Sequence, residues 1–132
     1  MRVRVVHDID DLANDLVSIS RRVRPDMREC VSESIDEGNK LAKANAKRTA
    51  GTHGKHYHKA FGAEMHRGYG LFGNTISGEY GPDANKPQGG MSFERGSRNQ
   101  PPHNDLAKSA DIAGEKLALK VNLRVDSWFW PA

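Results

Sequence analysis

Six histidines and a single cysteine are the side chains of this 132-residue chain best suited to metal or proton chemistry. His53, His56 and His58 form an H-x-x-H-x-H cluster, with His66 a little further on. Neutral imidazoles are good zinc ligands. The surroundings argue against a zinc centre. Cys30 lies far upstream in a helical pattern, and apart from Glu64 no carboxylate stands at ligand-like spacing. A solvated loop is the favoured reading of the cluster, and no metal or other cofactor is expected. His103-Asn104-Asp105 carries the His-Asn order of some nuclease sites, but that chemistry needs a second histidine on the following helix, and the stretch after His103 has none. A Gly-x-Ser-x-Gly elbow, a phosphate loop with Gly-Lys-Ser/Thr and a dinucleotide fingerprint are also missing. Gly89-Gly90 reads as a hinge. The residues point away from an enzyme.

Lys40, Lys43, Lys47, Arg48, Lys55 and Lys59 make a basic run. It reads first as a solvated face that also suits the negative end of a helix. Its functional reading is a surface passing near DNA phosphates, and a net charge of only +3 fits weak holding.

These groups must be positioned by a small molecule. The length fits one domain over residues 1–132. Hydrophobic residues are 36% of the chain and charged residues 28%, so the supply of core is thin and oligomer contacts are a plausible source of stability. One cysteine allows no intrachain disulfide, and Cys30 is expected as a buried, inert thiol. The opening six residues are too short for a secretory leader, and no apolar run approaches a membrane span. A soluble protein is expected.

Arg2 to Val6 alternates charged and apolar residues like a short strand. Ile9, Leu12, Ala13, Leu16 and Ile19 recur at helical spacing after an acidic start. That helix is expected to end near Arg21 to Arg24, because Pro25 disfavours helical geometry in the residue before it. Pro25 would then open a second, long helix to about Thr49, with Met27, Val31, Ile35, Gly38 and Ala42 as its stripe and Cys30 and Leu41 at the edge. Strand character follows around Ala60 to Met65 and again from Leu71 to Tyr80, the two forming a hairpin. Leu106, Ala110, Ala113, Leu117, Val121, Val125 and Trp128 trace the last helix, with Asn104 or Asp105 as its cap. Gly114 weakens that helix, which suggests a close neighbour there. Trp128, Phe129 and Trp130 should pack on the core or on another subunit.

Between hairpin and last helix runs a long loop, about 82–103, within a Gly78–Leu106 stretch that holds four of the six prolines. A loop of this length in a small domain is usually functional or disordered. One compact unit interrupts it, Met91-Ser92-Phe93-Glu94-Arg95-Gly96-Ser97, read as a one-turn helix anchored by Phe93 and ended by Gly96 in a left-handed conformation. Pro101-Pro102-His103 closes it. Glu94 and Arg95 could pair across a subunit boundary.

This order resembles the head–tail joining or tail-completion family, the neck and minor tail components of long-tailed, lambdoid-type phages. The residues that carry the resemblance are Thr49-Ala50-Gly51-Thr52, the strand from Ile76 to Gly81, Phe93-Glu94-Arg95-Gly96-Ser97, and Pro101-Pro102 before the final helix. It runs roughly from Val31 onward. The chain departs from the family's pattern after the Thr-Gly loop, where His53 to His58 replaces much of a Leu-x-x-Ser/Thr-Ile step. The resemblance implies a structural virion protein without catalysis, made in the host cytoplasm. It implies a ring, sixfold by analogy with the tail, around the DNA channel, with Lys55 and Lys59 as the candidates for facing that channel. Its partners would be copies of itself, the connector or stopper, the tail terminator or tail tube, and genomic DNA passing through non-specifically; no membrane is implied.

The fold expected is α+β, a small antiparallel sheet packed against two long α-helices and a shorter N-terminal helix. Phe93, Glu94, Arg95, Trp128 and Trp130 are the candidate packing and interface residues. Two alternatives stand beside the joining protein: a tail terminator capping the tail tube, and a small metal- or nucleic-acid-binding enzyme built on His53, His56 and His58.

Overall fold

The computed structural model describes residues 2, 9–66, 76–98 and 101–130, with the helical backbone alone given for 9–12. In chain order the elements are α1 (Ile9–Thr49), a 3-10 turn (His58–Ala60), β1 (Phe61–Met65), β2 (Gly78–Pro82), α2 (Ser92–Arg95) and α3 (Asp105–Phe129). The strand expected over Arg2–Val6 lies, apart from Arg2, outside the described residues, as does the start of the second strand expected from Leu71.

The chain is mixed helix and sheet, but the expected division at Pro25 is wrong. One helix of 41 residues runs through it. An internal proline removes a backbone hydrogen bond and clashes with the preceding turn, at a cost of about 3 kcal/mol or more. Contacts from the end of α3 bracket the position. Arg22 donates twice to the Trp128 carbonyl oxygen, at 2.7 and 3.2 Å. The Trp128 indole N–H donates to the Asp26 carboxylate at 2.7 Å. Arg124 donates to the Asp26 carbonyl oxygen and lies 3.4 Å from the Glu29 carboxylate. The helix is thus held on both sides of its weak point.

α1 and α3 run antiparallel. Their register is marked by an ion-pair ladder, Glu37 with Lys116 and Lys120, Glu33 with Lys120, and Glu29 and Asp26 with Arg124. Each such surface pair contributes little, about 0–1 kcal/mol. Their value here is alignment. The buried line of α1 is Cys30, Ser34, Gly38, Ala42 and Ala46, stepping by one turn each time. Small side chains let neighbours approach closely. At Gly38 an added Cβ would sit 2.7 Å from the Tyr80 ring. The Tyr80 hydroxyl in turn lies 2.9 Å from Ser109 Oγ, so the Tyr80 side chain bridges α1 and α3. Cys30 is fully buried, as its pattern suggested. Ala13 and Leu16 are exposed, against the inward face expected for them.

β1 and β2 pair antiparallel with Phe61 opposite Pro82 and Met65 opposite Gly78. The core at their base contains Ala42, Ala46, Tyr57 and Phe61, with Ala50, Tyr80, Phe93 and Leu106 packed against it. Along α3, Ala113 and Trp128 are buried and Leu106, Leu117, Val121 and Val125 half-buried, but Ala110 is exposed. Gly114 has no atom within 4 Å of where a Cβ would lie, so the close neighbour expected there is not the reason for it.

Candidate functional site

Short motifs scattered through the sequence meet at the start of α3. α1 ends at Thr49, and Gly51 turns the chain with φ +63°, a conformation that favours glycine. The following turn buries Tyr57, whose ring stacks on Phe93 at 4.6 Å and meets Phe61 edge-on at 5.1 Å. Phe93 also meets the His103 ring at 5.6 Å. The one-turn helix α2 is therefore anchored as expected. Gly96 ends it with positive φ, but with ψ 167° the backbone is extended there rather than left-handed helical.

The anchored turn aims Glu94 at α3. The Glu94 carboxylate accepts the backbone N–H of Leu106 at 2.8 Å and that of Ala107 at 2.9 Å. These are free donors of the first helical turn, and the helix dipole adds a favourable field for the negative charge. The cap expected from Asn104 or Asp105 is thus supplied from 12 residues upstream. Asn104 sits at the cap position with φ 56° and no side-chain capping bond. Asp105 is fully buried and faces the other way. Its two carboxylate oxygens accept from the Thr49 hydroxyl at 2.9 Å, and His103 Nδ1 lies 3.2 Å from that same hydroxyl. Thr49, Phe93, Glu94, His103 and Asp105 form one latch joining the ends of α1, α2 and α3. His103 serves the latch, and α3 carries no histidine beside it.

Compared with family models, curated proteins and solved structures, this chain matches none.

The remaining sequence candidates are dispersed. His53 and His56 are exposed, and their backbones bond the Gln88 side chain, which ties the described part of the long loop to the preceding turn. Among the described residues His53, His56 and His58 are not drawn into a metal-like group. Glu64, His66 and Glu79 are, with one ligand atom of each lying within 4.8 Å of the others. Lys55 and Lys59 are exposed, and among the described residues neither is in an ion pair. A cationic surface does gather around His58. Partial burial, then Lys47, Lys59, Lys43 and His56, push its imidazole below the ordinary histidine range.

Of the interface candidates, Glu94 has both oxygens engaged inside the chain and Arg95 is exposed. Trp128 is buried against α1, whereas Phe129 and Trp130 lie largely in the open. Sequence reading missed a second apolar stripe on α3. Ile112, Leu119 and Leu123 share one face, and Trp130 continues it just past the helix end. Its signal was the spacing of seven, four and seven residues, which returns to one side of a helix. No described helix is long and apolar enough to cross a membrane.

Proposed function

We propose that this chain is a neck component of a long-tailed phage, a structural subunit that joins head to tail as part of a ring around the DNA channel. One observation carries the assembly reading. The outer stripe of α3 leaves Ile112 44% exposed, Leu119 62%, Leu123 83% and Trp130 76%. Large apolar side chains exposed along one helix face are suited to burial against a partner. Leu16 and Val17 of α1 are exposed as well. A head-to-tail ring needs two different complementary surfaces on each subunit, and the two helices offer one each.

In this reading the latch sets the angle of α3 and so presents the stripe, while Arg95 and Trp130 reach a neighbour directly. Lys55 and Lys59, beside the cations around His58, face the channel and meet passing DNA without sequence preference. The ring is sixfold by analogy with the tail, docked between connector or stopper and tail terminator or tail tube. The sheet, packed on α1, is scaffolding.

Imaging intact particles at side-chain resolution tests the proposal. The expected result is a ring of this chain between portal and tail tube, with the α3 outer stripe covered by the adjacent subunit. A chain absent from the particles, or seated there with that stripe facing solvent, overturns it. Finding the ring on the tube's end without contact to the connector would make it a tail terminator.

A further inference from the structure

Beyond assembly, the hairpin holds a set of side chains that the proposed function does not use. Glu64 and Glu79 are direct partners in the antiparallel register of β1 and β2. Like charges placed directly opposite each other in a strand pair are destabilising. No lysine or arginine among the described residues is ion-paired with either carboxylate. Side chains on a strand alternate between faces, so His66 shares the face of Glu64. Its Nε2 lies 3.8 Å from Glu79 Oε2. The His66 backbone N–H donates to the Ser77 carbonyl oxygen at 3.0 Å, which continues the ladder by one rung and fixes the ring's origin.

We propose that Glu64, His66 and Glu79 bind a divalent transition-metal ion that clamps the far end of the hairpin. Donor type selects the class of ion. Two carboxylates alone would suit calcium or magnesium, whereas an imidazole in the set favours zinc or a neighbouring first-row ion. Distances fit with modest side-chain rotation. Bonds of about 2.0–2.2 Å in a tetrahedral site put ligand atoms roughly 3.3–3.6 Å apart, and the three here already lie within 4.8 Å of one another. Three protein ligands leave a coordination position open. A groove of about 520 Å³ lies beside Glu64 and Glu79, lined also by Gly62, Gly81 and Lys86. α1 covers one face of the hairpin, with Ile35 close to Gly78, and Phe61 anchors its base in the core, while Glu64 and Glu79 are exposed; the bound ion ties the two strands together on that exposed face.

The test uses the full chain, stripped with a chelator and titrated with zinc chloride by calorimetry and thermal melting above the histidine range. One zinc per chain is expected, with a raised melting temperature. Glu64→Gln, Glu79→Gln and His66→Asn should each weaken binding by at least roughly tenfold. The His53→Ala, His56→Ala, His58→Ala triple variant should bind as the parent does. Calcium should compete poorly. The Glu79→Gln variant gives a signature that misfolding cannot imitate. Without metal it should melt at or above the parent, since a like-charge pair is relieved. With zinc it should melt below the parent. Absence of saturable binding, unchanged affinity in Glu79→Gln, loss of binding in the triple variant, or calcium binding as tight as zinc would each overturn the proposal. So would a Glu79→Gln variant that melts lower in the absence of metal, which would make His66–Glu79 an ordinary ion pair.

Discussion

Replacing Glu94 with alanine should loosen α3 from its first turn inward. The carboxylate is buried and accepts two backbone N–H groups, at 2.8 and 2.9 Å. Hydrogen bonds to a charged group contribute about 1.5–3 kcal/mol each, and losing a helix cap costs about 0.5–2 kcal/mol. Ala107 is exposed and Leu106 half-buried, so water can reach part of the freed backbone. The two figures describe the same loss, so an intermediate value applies, about 2–4 kcal/mol in all. For a chain of 132 residues at about 4 °C per kcal/mol, the melting temperature should fall by about 8–16 °C. Glu94→Gln should lose roughly half as much, because one oxygen can still accept while the amide nitrogen opposes the second donor. Far-ultraviolet circular dichroism reads the melting, and hydrogen exchange reads the site. The amides of Leu106 and Ala107 should exchange faster than those in the middle of α3. A Glu94→Ala melting point within about 2 °C of the parent, with both amides still protected, would refute the cap.

Two glycines should respond in opposite directions to alanine. Gly38→Ala drives a Cβ into the Tyr80 ring at 2.7 Å and should cost about 1–3 kcal/mol, whereas Gly114→Ala enters open space and should stabilise by up to about 1 kcal/mol; chemical denaturation of both variants checks the pair. His58 should titrate below the ordinary histidine range in an imidazole NMR titration, and Lys47→Gln with Lys59→Gln should move it upward. Because the unfolded chain takes up that proton first, the His58 contribution to stability should be intact above the ordinary histidine range and decline as pH falls through it towards the lower folded value. Melting curves of the parent against His58→Gln isolate this contribution.

Where local pattern and tertiary packing agreed, the elements were legible. β1 falls within a residue of expectation, and the stripe through Leu106, Ala113 and Trp128 is the face that α3 turns towards α1. Pro25 was read from its local effect alone, and the bracket of Arg22, Asp26 and Trp128 overrides that effect from about a hundred residues away. The Glu94 cap was hidden for the same reason, since capping rules look one to three residues from the helix and the acceptor of this cap stands twelve away. The ion-pair ladder was within reach. Asp26, Glu29, Glu33 and Glu37 recur at helical spacing, as do Lys116, Lys120 and Arg124, and reading the two series against each other predicts an antiparallel pair. His66 and Glu64 were noticed in sequence, but Glu79 joins them only through the strand register.

The two apolar stripes of α3 differ in what covers them, and that difference connects the latch to the proposed assembly. The inner stripe faces α1, with Leu106 packed on the Ala42–Ala46 core and Trp128 held by Arg22 and Asp26. The outer stripe carries large side chains and has no such partner among the described residues. A helix held only by its inner stripe and a ladder of weak surface ion pairs could rotate about its own axis at small cost. The contacts that resist rotation are at its two ends, with Glu94 and Asp105 at one and Trp128 at the other. Fixing both ends fixes the azimuth of Leu119 and Leu123 between them. On the proposed assembly reading the polar latch acts through orientation: its residues are engaged within the chain, and the result is an apolar edge of α3 pointed outward.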